Sequence, residues 1–268
     1  MMSVPLRPSL RRSACVAVAA SFALGALAAC GGSSDDTGSV AKGPSGKIVV
    51  LAASSLTESF TALGKAFEAE HPGTTVSFSF AASSELATQV EQGAPADVFA
   101  SASPATMAQV SDGGGTAGKP VTFARNTLEI AVPAGNPAKV TGLEDFAKKD
   151  LTIALCAPEV PCGAAADKVF AAAEVTPAPD TLEADVKATL AKVTLGEVDA
   201  ALVYKTDVIA AGDKVQGIDF PEAADAVNDY PIAVLKDAGN PATAQAFVDL
   251  VLSAGGQKVL SEAGFQRP

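Results

Sequence analysis

Short apolar runs alternate along this chain with longer segments whose apolar residues recur at helical spacing. The runs predict buried strands, and the segments predict helices that cover them. Strands are expected at 47–53, 75–80, 97–100, 127–133, 151–155, 200–204, 215–220 and 231–235. Helices are expected at 55–70, 84–92, 164–173, 184–194, 241–253 and 257–263, with one more opened by Pro104 and stopped by Gly113-Gly114-Gly115. The helix from residue 55 shows the pattern clearly: Phe60, Leu63 and Phe67 fall three and four apart, and His71-Pro72-Gly73 ends it. Strands alternating with helices imply an α/β fold with mostly parallel sheets, whose ligands bind beyond the carboxyl ends of the strands.

Two of those strand ends repeat one local design. Ala52-Ala53-Ser54-Ser55-Leu56-Thr57 and Phe80-Ala81-Ala82-Ser83-Ser84-Glu85-Leu86 each carry a serine pair where strand gives way to helix. Serine there is an N-cap residue. The place offers unpaired backbone N–H groups, the positive end of a helix dipole and a hydroxyl, which together suit an anion. Two such ends opening to one side of a sheet would hold one small oxyanion. The plainer alternative is that both serines only cap their helices, and Ser54 or Ser84 stands one residue from each expected donor. Further helix starts fall at Pro161-Cys162-Gly163 and Asp185-Val186-Lys187, and Tyr204 closes the strand at 200–204.

The first residues decide where the fold works. Arg7, Arg11 and Arg12 precede an apolar run at 14–29 that closes in Leu27-Ala28-Ala29-Cys30-Gly31. A basic start, a short apolar stretch and small residues before a cut make a secretory signal, here 1–29. The cysteine context resembles the lipobox of bacterial lipoproteins, so Cys30 is the expected lipidation site and membrane anchor; an ordinary signal that happens to contain a cysteine is the alternative. Residues 30–45 are rich in Gly and Ser and read as a flexible tether, with the folded part at 46–268. Without the signal, 16 basic residues face 30 acidic ones, a net charge of −14. That balance, with no basic stripe among aromatics, disfavours nucleic acid. It does not exclude an anion held by local dipoles.

Two cysteines remain in the folded part, Cys156 and Cys162, flanking a proline-rich loop. Outside the cytoplasm such a pair reads as a disulfide. A metal site would need more ligands, and His71, the sole histidine, lies in another segment. Free thiols are the third option. Enzyme signatures are absent: there is no Gly-x-Ser-x-Gly elbow, Walker loop, dinucleotide fingerprint or metal-ligand cluster. No cofactor is expected. A serine hydrolase, the enzyme alternative, would need a base beside its nucleophile.

Taken in order, Ala52-Ala53-Ser54-Ser55-Leu56-Thr57, Phe80-Ala81-Ala82-Ser83-Ser84-Glu85-Leu86, Gly93-Ala94-Pro95-Ala96-Asp97-Val98-Phe99, Pro158-Glu159-Val160-Pro161-Cys162-Gly163, Asp185-Val186 and Val203-Tyr204 make a specific pattern. Over 46–268 the chain resembles the molybdate-binding proteins of bacterial molybdate ABC importers. The resemblance implies a type II periplasmic-binding-protein fold, two α/β lobes with a ligand cleft between them. The implied crossing segments are the strands at 127–133 and 230–235, giving a first lobe of 46–126 plus 231–268 and a second of 127–230.

By the same resemblance the ligand is molybdate or tungstate, the partner is an ABC-transporter permease, and the protein is a monomer held at the outer face of the cell membrane. Ser55 and Ser83 would each donate a hydroxyl and a backbone N–H, Cys162 and Val186 a backbone N–H, and Tyr204 its phenolic O–H. Cys162 stands where the family often has alanine, which leaves a backbone donor intact. Taken singly, Val186 reads as a core residue, Tyr204 as a rim aromatic, Asp97 as a structural acceptor, and Lys187 and Lys205 as surface lysines. Molybdate is fully deprotonated at neutral pH, so its oxygens only accept. Hydrogenphosphate keeps a proton and leaves it unsatisfied among donors, at roughly 1–3 kcal/mol when buried. Sulfate, phosphonate or a small carboxylate are the alternative ligands.

Overall fold

The computed structural model describes residues 43–268; the expected signal peptide, Cys30 and the tether up to residue 42 lie outside the described residues. Two five-stranded sheets organise the chain. The first holds β1 (Gly46–Ala53), β2 (Thr74–Ala81), β3 (Val98–Ala100), β4 (Val121–Asn126) and β10 (Asn228–Val234), in the order β2-β1-β3-β10-β4. The second holds β5 (Leu128–Pro133), β6 (Ile153–Cys156), β7 (Thr181–Glu183), β8 (Ala200–Tyr204) and β9 (Val215–Ile218), in the order β7-β6-β8-β5-β9.

Both sheets follow one plan. In the first, β1 runs parallel to β2 and β3, while β10 is antiparallel to β3 and β4. In the second, β6 runs parallel to β7 and β8, while β5 is antiparallel to β8 and β9. The antiparallel strand is in each case the one by which the chain arrives from the other lobe. The parallel strands all end on the side where their following helices begin, so both sheets aim helix N-termini at the space between them.

The first sheet is covered on both faces, which is why β1 reads as an almost unbroken apolar run. Ile48, Val50 and Ala52 face the helices α1 (Thr57–Glu70), α7 (Pro241–Leu252) and α8 (Ala254–Glu262). Leu51 points the other way, toward Leu86 of α2 (Ser83–Glu91) and Met107 and Val110 of α3 (Pro104–Asp112). Phe60, Leu63 and Phe67 are buried on α1, as their spacing predicts. Phe60 lies at the centre of an aromatic cluster, with ring centroids 6.3 Å from Phe78, 5.7 Å from Phe123 and 6.0 Å from Phe247. The second sheet packs with α4 (Pro161–Ala172), α5 (Val186–Thr194) and α6 (Lys205–Ala211) around a separate core that includes Ile130, Ile153, Val169 and Leu202.

Four expectations change. The sheets are mixed rather than mostly parallel, each having two parallel and two antiparallel pairings, because each takes in a strand arriving from the other lobe. The chain passes from the first sheet to the second at Thr127, after β4, which was not expected; the strand expected at 127–133 belongs wholly to the second sheet. β4 lies at the edge of its sheet and ends in Arg125-Asn126, so its apolar alternation is weak. The return crossing comes before Asn228, since Asn228 pairs with Asn126 in the first sheet. Residues 228–230 therefore belong to the first lobe rather than the second, a shift caused by polar Asn228 and Asp229 opening a strand expected to start at its apolar part. Finally, α6 and β7 were not expected: both are short, and β7 lies at the edge of its sheet.

Phe60→Ala should lower unfolding free energy by about 3–5 kcal/mol, because three neighbouring rings lose their shared contact. Urea denaturation measures it, and a loss below about 1 kcal/mol would show that the cluster does not organise the first lobe.

Candidate functional site

The five expected ligand residues line one narrow cleft between the sheets. Ser55 and Ser83 enter from the first lobe, Cys162, Val186 and Tyr204 from the second. Ser54 also lines it, whereas Ser84 does not. Asp185 is the charged residue among the described residues that line the cleft. Its carboxylate turns back on its own helix, accepting from Lys187 N at 2.7 Å and Ala188 N at 3.0 Å.

That cap has a consequence for the site. The first N–H groups of a helix lack intrahelical partners, and on α5 the Asp185 carboxylate takes two of them. Val186 N–H is left as the free donor of that turn. On α4, Pro161 has no N–H, so Cys162 and Gly163 offer the available ones. Two features hold that turn in place. Cys156 at the end of β6 is disulfide-bonded to Cys162, with Cα atoms 5.8 Å apart. A Cβ on Gly163 would lie 1.9 Å from the Ala157 carbonyl oxygen, so only glycine lets α4 approach the preceding loop this closely.

The serines do not cap their helices. Residues Ser54–Leu56 form a 3-10 turn with Ala53 before it, Ser83 is the first residue of α2 behind Ala82, and neither start has a side-chain cap. Their hydroxyls bond elsewhere. Ser83 Oγ accepts from Ala102 N at 2.9 Å, and Ser55 Oγ lies 3.0 Å from Tyr230 Oη. Tyr204 is fully buried rather than on a rim, and its Oη accepts from Asn228 Nδ2 at 2.7 Å. Burial, then Tyr230, drives the Tyr204 phenol far above the usual range, and burial does the same for Tyr230. Both phenols keep their protons at neutral pH and can donate them.

Lys187 is no surface lysine. Its Nζ lies 2.8 Å from Glu58 Oε2 on α1 of the first lobe and 3.1 Å from the buried Asp207 Oδ1 on α6. The ammonium thus ties the two lobes together at the cleft while pointing away from its lining. Burial alone would pull the lysine down, but Asp207 and Glu58 outweigh it and hold it above the lysine range. Asp207 is pushed up to about 6 by burial, against the opposing pull of Lys187. Lys205 does stay at the surface, paired with Asp219 at 2.9 Å. Asp97 is a structural acceptor, bonded by Val49 N at 2.7 Å and Asn240 N at 2.9 Å.

Sequence reasoning missed Tyr230, Asn126 and Asn228. They stand where the chain crosses between lobes, and the one available signal was polar residues at the ends of apolar strands. Among the described residues no group of three His, Cys, Asp or Glu could hold a metal ion, and no helix is long and apolar enough to cross a membrane.

Comparison with known proteins places the chain and its fold. A family model described as bacterial extracellular solute-binding protein matches residues 48–266. The molybdate-binding protein ModA of Mycobacterium tuberculosis is 45% identical over 245 residues, covering 90% of this chain and 93% of that one. The periplasmic molybdate-binding protein of Azotobacter vinelandii shares the fold, with a TM-score of 0.71 at 19% identity over 82% of this chain and 99% of that one. So does the sulfate-binding protein SubI of Mycobacterium tuberculosis, with a TM-score of 0.71 at 20% identity over 82% of this chain and 86% of that one. The fold alone therefore does not choose between oxyanions.

Burial pushes Asp207 up to about 6 in the folded chain, from the ordinary 3.8 of an exposed aspartate. Its contribution to stability is full below the lower value and lost as pH rises through the higher, a swing on the order of 3 kcal/mol. Urea denaturation of the native chain and Asp207→Asn across that window should show the native chain losing stability relative to the variant as pH rises. A constant difference would contradict the assignment.

Proposed function

The chain belongs to the bacterial extracellular solute-binding protein family, and from that premise we propose that its cleft captures molybdate, and tungstate with it, for delivery to an ABC-transporter permease. The observation that carries this reading is the donor set: the hydroxyls of Ser55, Ser83 and Tyr204 and the backbone N–H groups of three helix starts and a 3-10 turn meet in a cleft that, among the described residues, no lysine or arginine lines. Charge-assisted hydrogen bonds contribute roughly 1.5–3 kcal/mol each, so five or more hold a dianion without a counter-ion.

Selectivity follows from what each anion asks of that set. Molybdate and tungstate carry no proton, so every oxygen can accept. Hydrogenphosphate brings an O–H that donors cannot satisfy. Sulfate carries no proton either, but its oxygens lie closer to its centre, and donors fixed on two lobes reach them poorly. Tungstate is nearly the size of molybdate, and both are held.

Binding favours the closed arrangement, because ligand contacts from Ser55 and Ser83 on one lobe and Cys162, Val186 and Tyr204 on the other form together only when the lobes meet. That closed shape is what the permease engages. The protein works as a monomer outside the cytoplasm, with no cofactor, tethered by lipid on Cys30. It is not a hydrolase: Ser55 Oγ sits beside a phenol and Ser83 Oγ beside a backbone N–H, and neither has a general base as partner.

Isothermal titration calorimetry with molybdate, tungstate, sulfate and phosphate tests the assignment. Molybdate and tungstate should bind with similar affinity and the other two weakly or not at all; a sulfate preference, or no heat with molybdate, would overturn it. In the same assay Tyr204→Phe should weaken molybdate by about 1–3 kcal/mol, the deficit of one buried oxygen. An unchanged affinity would remove Tyr204 from the site.

A further inference from the structure

A hydroxyl can donate or accept, so a pocket lined by hydroxyls is donor-only if something behind each one fixes its direction. Here that something can be read from the hydrogen bonds. Asn228 Nδ2 lies 2.9 Å from the Ala102 carbonyl oxygen, which only accepts, so the amide orientation of Asn228 is settled. The same nitrogen then donates to Tyr204 Oη. With that oxygen accepting from behind, the Tyr204 proton is left with two acceptors, the neighbouring Tyr230 phenol and an anion in the cleft, and the charged one holds it better.

Asn126 does the equivalent on the other side. Its Oδ1 accepts from Thr127 N at 3.0 Å, so its Nδ2 faces Thr206 Oγ1 at 2.8 Å and Tyr230 Oη at 3.4 Å. Tyr230 Oη accepts from it, and with that lone pair engaged its O–H is turned to Ser55 Oγ, 3.0 Å away, as the donor of a pair in which either oxygen could donate. The Ser55 proton is likewise freed. The two asparagines face each other across β4 and β10 at the lobe crossings, and each bridges a group of the first lobe and one of the second.

We propose that Asn126 and Asn228 are specificity-determining positioning residues: by donating to Tyr230 and Tyr204 they polarise the cleft hydroxyls outward as donors and so select an oxyanion without a proton over one that keeps it. This rests on the reading of the cleft as a molybdate site. Neither asparagine lines the cleft, so they act through the hydroxyls in front of them. Replacing either amide by a carboxylate of the same shape reverses the direction. The tyrosine must then donate backward, and its oxygen faces the cleft as an acceptor, which is what the O–H of hydrogenphosphate needs.

The test is calorimetric titration of the native chain, Asn126→Asp and Asn228→Asp with molybdate and with inorganic phosphate, at mildly alkaline pH where both anions are doubly negative. Each variant should lower the ratio of molybdate to phosphate affinity by about tenfold or more. A loosened hinge or simple repulsion by the new carboxylate would weaken both dianions alike, and an unchanged ratio would overturn the proposal. Failure of the native chain to bind molybdate would instead sink the functional reading. Should the variants not fold, the chain offers a second probe, because Tyr204 and Tyr230 are its only tyrosines. Uniform 3-fluorotyrosine makes both phenols stronger donors and poorer acceptors. Molybdate affinity should then rise, and a fall would contradict outward donation.

Discussion

A doubly negative anion taken out of water must recover its hydration from groups the protein has already placed. Here those groups are uncharged, and the rest of the molecule can be understood as the means of aiming them. Three helices and a 3-10 turn begin at the carboxyl ends of parallel strands, so their unpaired N–H groups point into one space. Disulfide-bonded Cys162, the glycine at 163 and the Asp185 cap each decide which N–H is offered and how firmly. The low-dielectric surroundings then strengthen every one of those bonds.

The same requirement explains why, among the described residues, no cationic side chain enters the lining. A lysine in the cleft would bind any small anion and discriminate little. Lys187 sits one residue from a donor, yet its ammonium is spent on Glu58 and Asp207. It therefore joins the lobes instead of touching the ligand. Closure is held by this ion pair on the outside and by the Tyr204–Tyr230 ring contact, 6.0 Å between centroids, on the inside. The asparagines at the two crossings complete the join, since each bonds to both lobes.

Much of this was legible in the sequence. Buried strands such as β1 and β8 announce themselves as apolar runs, and α1 by the spacing of Phe60, Leu63 and Phe67. The five cleft residues follow from strand-to-helix junctions in a familiar order. What stayed hidden has a common physical cause. β4 and β7 lie at sheet edges, where one side is wet and the pattern fades. The serines look like caps because local sequence cannot reveal that Ser55 finds Tyr230, 175 residues away. Asn126, Asn228 and Lys187 matter through partners on the opposite lobe, and no local periodicity encodes such a partner.

The central claim is that uncharged donors from both lobes meet on one tetrahedral centre. A crystal structure of the complex with molybdate, phased and mapped at the molybdenum absorption edge, tests it most directly. The account predicts a single molybdenum peak between the sheets, its oxygens within hydrogen-bond distance of Ser55, Ser83, Cys162, Val186 and Tyr204, with Lys187 still on Glu58. A peak beside a lysine or arginine ammonium or guanidinium, or donors spread over separate sites, would contradict it.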